Sequence, residues 1–292
     1  MKFGFLGIPW DVTSSLGWPG SRYAPEEVRR AFRWLEMRLA SGAVYWLDRE
    51  QVVGMPDAGF VIDRGDVEVM ADDREETFAR ISAAARACAD EGQVLMAVGG
   101  DDAVTYPVVR GLHDRTSGTW GMLHLDAHLD LMDRSEYQGA HSHSSGIRRI
   151  TELPRFRPEA LVQIGVRNFN FAASHAYVQE RGIRHIPASE FWRIGTEAAA
   201  ERALGLVAGV DHVHLAIDVD VLEPGFAPGA GAFEPGGLMP RQVQDFVAAV
   251  APRVDAVSLV EVNPLTDFRN MTSALGANIL AQFVVSRLAG ER

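Results

Sequence analysis

The stretch that decides the reading is Trp120-Gly121-Met122-Leu123-His124-Leu125-Asp126-Ala127-His128-Leu129-Asp130. A mostly apolar run, Trp120 to Leu125, is too short for a buried helix and reads as a strand. It opens directly into three polar side chains at alternate positions. An extended backbone sends residues i, i+2 and i+4 to one side, so Asp126, His128 and Asp130 are expected to converge.

The same device recurs. Val94–Val98 runs into Gly99-Gly100-Asp101-Asp102, and His212–Ile217 runs into Asp218-Val219-Asp220. Ala256–Val260 runs into Glu261-Val262-Asn263-Pro264. An isolated Asp-x-Asp is ordinary turn chemistry. Four acidic strand ends on one rim are different, because they repel each other unless a cation sits between them. Carboxylates with one imidazole suit manganese better than zinc, and they exceed what one ion needs. Two bridged ions are the economical expectation.

Further strands are expected at Phe3–Ile8 and Leu161–Val166, with weaker ones at Val44–Leu47 and Arg184–Ile186. Helical patterns lie between them at Pro25–Ala40, Asp73–Glu91, Ala172–Arg181, Ser189–Ala208, Pro240–Ala251 and Thr272–Leu288. Near-continuous apolar strands separated by helices predict a mostly parallel sheet covered on both faces. Ligands in such sheets bind outside the carboxyl ends of the strands. No linker or repeat divides the chain, so a single domain over 1–292 is expected.

Composition sets the outer bounds. The 292 residues are 47% hydrophobic and 23% charged, which excludes a disordered chain. Lysine and arginine number 28 against 39 acids, so the net charge is 28 − 39 = −11. That balance argues against nucleic acid, whose phosphates need clustered cations. Lys2 is the only lysine, so neither a Walker loop nor a Schiff-base lysine is available. Cys88 is the only cysteine, which excludes an internal disulfide and a thiolate cluster. Neither a secretory leader nor an apolar run of roughly 20 residues is present, so no membrane role and a cytoplasmic location are expected.

Together these motifs resemble the ureohydrolases, the family of arginase, agmatinase and guanidino-acid hydrolases. The resemblance runs from Gly7-x-Pro9, Pro19-Gly20-Ser21-Arg22-Tyr23-Ala24-Pro25 and Arg29 through Gly99–Pro107 and Leu125–Leu131. It continues through Asp218–Leu238 and closes on Glu261-Val262-Asn263-Pro264-Leu265-x-Asp267. It implies an arginase-like three-layer α/β/α fold with a mostly parallel sheet of about eight strands. It also implies two Mn²⁺ ions whose bridging hydroxide attacks a guanidinium carbon and releases urea. Asp126 and Asp218 would bridge the ions, Asp102 and Asp130 would complete one, and His128 and Asp220 the other. Glu261 would hold the guanidinium nitrogens, while Asp130 or His143 would protonate the leaving amine. His143 stands in a segment, Ser142-His143 through Arg148-Arg149, that resembles the agmatinase branch. The family further implies a homo-oligomer, a trimer or hexamer.

Two departures are visible. The family's first metal motif reads Gly-Gly-Asp-His, but Asp102 stands at the histidine position. The outcomes are a working site with altered metal preference, a one-metal site, or a non-catalytic binder; the intact remainder favours a working enzyme. Leu131 and Met132 do not offer the polar contacts by which arginases hold an α-carboxylate, and Ala230 and Ala232 replace usual threonines. Agmatine or a related small cationic guanidine is therefore the expected substrate. A formimino compound or a modified guanidine is the alternative.

Overall fold

The alternation within Lys2–Ile8 (β1) sets up the layers. Phe3 and Phe5 face one side of the sheet, while Leu6 and Ile8 belong to the core on the other. Gln93–Gly99 (β5) repeats this, with Val94, Met96 and Val98 on the first side and Leu95 and Ala97 on the second. The computed structural model describes residues 1–14 and 18–290.

Eight strands form the main sheet. Besides β1 and β5 they are Val61–Asp66 (β4), Trp120–Leu125 (β6), Phe156–Ile164 (β7), Arg184–Ile186 (β8), His212–Asp218 (β9) and Ala256–Val260 (β10). Their spatial order is β4-β1-β5-β10-β9-β6-β7-β8, with every pairing parallel. Ala43–Trp46 (β2) and Gln51–Gly54 (β3) pair antiparallel outside it. The expected strand at Val44–Leu47 therefore exists but does not join the main sheet.

One helical layer contains Ala24–Leu39 (α1), Ala188–Ile194 (α6), Thr196–Leu206 (α7), Pro240–Val250 (α8) and Met271–Ala289 (α9). The other contains Arg74–Asp90 (α2), Thr105–Arg115 (α3), Gly146–Thr151 (α4) and Ala172–Arg181 (α5). Helix α1 buries Val28, Phe32 and Leu39, at helical spacing, against β1, where the Phe5 and Phe32 rings lie 5.8 Å apart. Burying each such side chain contributes about 1.5–3 kcal/mol. This is the expected three-layer α/β/α architecture.

The differences from the sequence pattern have local causes. The single helix expected over 189–208 breaks at Gly195, whose φ of 82° leaves the helical region. Strand β4 reads Val-Ile-Asp-Arg-Gly-Asp because it is an edge strand with most of its side chains at least partly exposed. Helix α3 opens with Pro107 in its first turn and contains Gly111, so its helical pattern is weak in the sequence. Gly111 is required by packing, since a Cβ there would meet the Ser82 carbonyl oxygen at 2.3 Å.

The consequence for the site is simple. Strands β5, β10, β9 and β6 are consecutive in space although far apart in sequence. Their ends are level, with Val98 opposite Leu259, Val260 opposite Asp218, and Ile217 opposite Leu125. Every acidic strand end is thereby delivered to one rim.

Candidate metal centre

Asp126 leaves β6 fully buried and accepts the backbone N–H of His128 through Oδ1 at 2.5 Å. That contact folds the chain back, and His128 Nδ1 then lies 2.9 Å from Asp220 Oδ2 and 3.4 Å from Asp126 Oδ1. One ligand atom from each of Asp126, His128 and Asp220 lies within 4.8 Å of the others. Asp220 is fixed from behind, since its Oδ1 accepts the N–H of Ala127 at 3.0 Å.

Asp130 reaches the same cavity, but not along an extended strand. Strand β6 stops at Leu125, and Asp130 adopts a left-handed φ of 51°. Glu261, just beyond β10, does the same at 61°. Non-glycine residues in that region are strained, and they persist where surrounding contacts over-determine them. For Glu261 those contacts are explicit: its N–H donates to the Gly100 carbonyl at 2.8 Å, and its Oε1 accepts the Asp102 N–H at 2.9 Å.

The neighbouring aspartates at the end of β5 have different surroundings. Asp101 accepts the Thr13 N–H (2.7 Å), the Thr13 hydroxyl (2.8 Å) and the Ala103 N–H (3.1 Å). Burial pushes its carboxyl up to about 7 despite these donors. Asp102 accepts one donor, the Thr105 hydroxyl on Oδ1 at 2.5 Å, and its buried Oδ2 has no partner. Asp126 Oδ2 likewise lacks an aligned hydrogen bond, although His124 Nε2 stands 3.0 Å away.

The charge balance at the rim is anionic. Burial, reinforced by neighbouring carboxylates, raises Asp102, Asp130, Asp218 and Glu261 well above the usual carboxylate range. Burial also pushes Asp126 upward, but the His124 and His128 rings hold it below its ordinary value. Burial would lower His128, yet Asp220 and Asp126 push it up to about 12. Buried carboxylate oxygens without hydrogen-bond partners, together with the His128 imidazole, are a donor set for divalent cations.

These groups open into a cavity of about 360 Å³. His128, Asp130, Asp218, Asp220 and Glu261 form its floor; Leu131, Met132, Phe171 and Phe233 supply apolar walls. His143 lines it too, held by its N–H on Thr13 Oγ1 at 3.0 Å. Burial lowers the His143 imidazole below its ordinary value, and its Nδ1 has no hydrogen-bond partner. His141, by contrast, packs on the Phe78 and Tyr106 rings and does not line the cavity. Of the sequence-predicted site residues, six line the cavity, while Asp102 and Asp126 are fully buried and do not line it.

Residues 1–285 match the model of the arginase family. The chain belongs to the arginase family. It is 32% identical to guanidinopropionase of Pseudomonas aeruginosa, over 97% of this chain and 86% of that one. It is 29% identical to the mitochondrial agmatinase of Gallus gallus, over 96% and 79% respectively. The solved structure of proclavaminate amidinohydrolase from Streptomyces clavuligerus superposes with a TM-score of 0.85 at 27% identity. That alignment covers 99% of this chain and 92% of the other.

Within this arginase-family chain several motif residues turn out to hold loops. Asp267 accepts from Thr272 and Ser273 at the start of α9, and Glu223 Oε2 accepts the N–H groups of Gly236 and Gly237. Asp11 gathers Gly20 and Arg22. Arg167 donates to the carbonyls of Gly165, Asp220 and Glu234. Glu234 is the charged lining residue that the sequence did not single out. It stands 3.8 Å from His128 Nε2 and is held by the Asn168 side chain. Its one signal is its place in the turn-rich Gly231–Gly237 segment of the third motif.

Proposed function

We propose that the protein hydrolyses the guanidino group of agmatine, or a related guanidino compound, to an amine and urea at a centre of two Mn²⁺ ions. The observation that carries this reading is the convergence of Asp126, His128 and Asp220 at a cavity that Asp130, Asp218 and Glu261 also line, in an arginase-family chain; Asp102 would complete the donor set. When bound, two divalent ions lower the pKa of a water between them enough to supply a nucleophile at neutral pH.

The chain's own residues supply the rest. Glu261, fixed by Gly100 and by the Asp102 N–H, turns its carboxylate toward the cavity to accept guanidinium N–H groups. A cation in that position restores the charged form that burial disfavours. His143 lines the cavity and its Nδ1 has no hydrogen-bond partner, so it can relay a proton to the leaving amine. Asp130 lies on the same floor as the second candidate donor.

The tail side supports a substrate without a carboxylate. Among the described residues no arginine or lysine lines the cavity. The two arginines of the His143 segment are engaged elsewhere: Arg148 stacks on Tyr177 at 3.9 Å, and Arg149 pairs with Asp133 at 2.8 Å. A single domain, a cytoplasmic location and a trimeric or hexameric assembly belong to the same proposal. No helix among the described residues is long and apolar enough to cross a membrane. The test is a panel of guanidines, agmatine first, offered with Mn²⁺ and other divalent ions and scored for urea. Urea from agmatine is expected. Formamide from a formimino compound, with no urea from any guanidine, would replace this reading.

A further inference from the structure

His124 on β6 and Gln163 on β7 are fully buried polar side chains that stand opposite each other in the strand register. Neither lines the cavity. Burying such groups costs free energy unless they are paired, so the way they pair is informative.

The Gln163 amide decides the arrangement. Its Nε2 lies 2.6 Å from the Leu129 carbonyl oxygen and 3.2 Å from His124 Nδ1. The reversed amide would set oxygen against oxygen at 2.6 Å, so the nitrogen must face Leu129. An amide nitrogen donates and does not accept, and its two hydrogens serve both neighbours. His124 Nδ1 is therefore the acceptor, and the ring carries its proton on Nε2. That nitrogen stands 3.0 Å from Asp126 Oδ2, and neither atom has another hydrogen-bond partner among the described residues.

We infer that Gln163 and His124 are positioning residues for the candidate metal ligands. Through the Leu129 carbonyl, Gln163 holds the loop between His128 and Asp130. Through the His124 ring it holds Asp126, whose Oδ2 faces Nε2 while its Oδ1 accepts the His128 N–H at 2.5 Å. One buried amide on β7 thus ties both halves of the Asp126-x-His128-x-Asp130 turn to the sheet. Carboxylates that ligate metals are themselves oriented by hydrogen bonds, and such outer partners govern affinity. This inference rests on the metal-centre reading above and adds to it the groups that keep Asp126 in place.

The test starts without metal or substrate, on the chelator-treated full chain isotopically labelled at its histidine ring nitrogens. Proton–nitrogen correlation spectra should show His124 protonated on Nε2 alone, its signal being assigned by its loss in His124→Gln. Gln163→Leu removes the partner of Nδ1, so a share of the proton should move there. Calorimetric titration with Mn²⁺ should show about 10- to 100-fold weaker binding in His124→Leu and in Gln163→Leu. His124→Gln, which can return an N–H toward Asp126, should recover most of that loss, a rescue that packing alone does not give. His124→Leu is the independent variant should Gln163→Leu fail to fold. A His124 proton on Nδ1, or on both nitrogens, would overturn the inferred arrangement. Nε2 protonation with Mn²⁺ binding unchanged in both leucine variants would overturn the positioning role alone. Absence of Mn²⁺ binding by the unmodified chain would overturn the metal-centre reading itself.

Discussion

Metal loading of this site should expel protons, and His128 makes the effect countable. Asp220, 2.9 Å from its Nδ1, and Asp126 push the imidazole up to about 12, so near pH 7 it carries a proton. A ligand imidazole must be neutral, so one proton leaves with binding. That single proton makes metal affinity rise about tenfold per pH unit. Asp102, Asp130 and Asp218, all raised by burial and like charges, add to the release wherever they still hold protons. The sign follows directly: affinity falls as pH falls. Stability moves the other way without metal. A carboxyl raised on folding contributes stability below its unfolded pKa and loses it as pH rises through the folded value. Bound ions neutralise that repulsion, so the gain in Tm on adding Mn²⁺ should grow with pH. At a hundredfold excess over Kd the gain is about 2.7 kcal/mol, or roughly 5–10 °C at about 2–4 °C per kcal/mol. Calorimetry in two buffers of different ionisation enthalpy counts the protons, and His128→Asn should lower the count by about one. Proton-neutral binding near pH 7, or a count unchanged in His128→Asn, would show that His128 does not carry the released proton.

Three further outcomes are expected. Thr13→Val removes the hydroxyl that donates to buried Asp101 and accepts from His143, and a charged hydrogen bond of this kind is worth about 1.5–3 kcal/mol. Urea denaturation should show that loss, with impaired turnover because His143 loses its anchor. His143→Ala should lower kcat by about 10²-fold or more with KM little changed, and it should flatten the acid limb of the pH profile. Gly100→Ala places a Cβ 1.7 Å from the Trp10 carbonyl oxygen, backbone against backbone, and should show a large loss in Tm or no folded product.

Much of this was legible because strand ends carry their chemistry in sequence order. The apolar runs before Asp102, Asp126, Asp218 and Glu261 marked β5, β6, β9 and β10, and a parallel sheet brings such ends to one side. What periodicity could not supply was geometry made by contacts distant in sequence. Alternation suggested that Asp130 would follow an extended path; a left-handed turn delivers it instead. Asp101 and Asp102 are identical neighbours in sequence, and Thr13, folded back from the loop after β1, fills one oxygen of Asp101 while one oxygen of Asp102 is left without a partner. Edge strand β4 hid behind its charges, and α3 behind Pro107 and Gly111. Glu234 became visible only once Arg167 and Asn168 were seen to fix it beside His128.

The most direct measurement combines metal and product in one sample. Protein loaded with Mn²⁺ and freed of excess ion is incubated with agmatine, and bound metal, urea and amine are quantified together. The proposed activity predicts about two ions per chain, urea and amine in equal amounts, and loss of both after chelation with recovery on reloading. Two bound ions with no urea from agmatine or any other guanidine would contradict it.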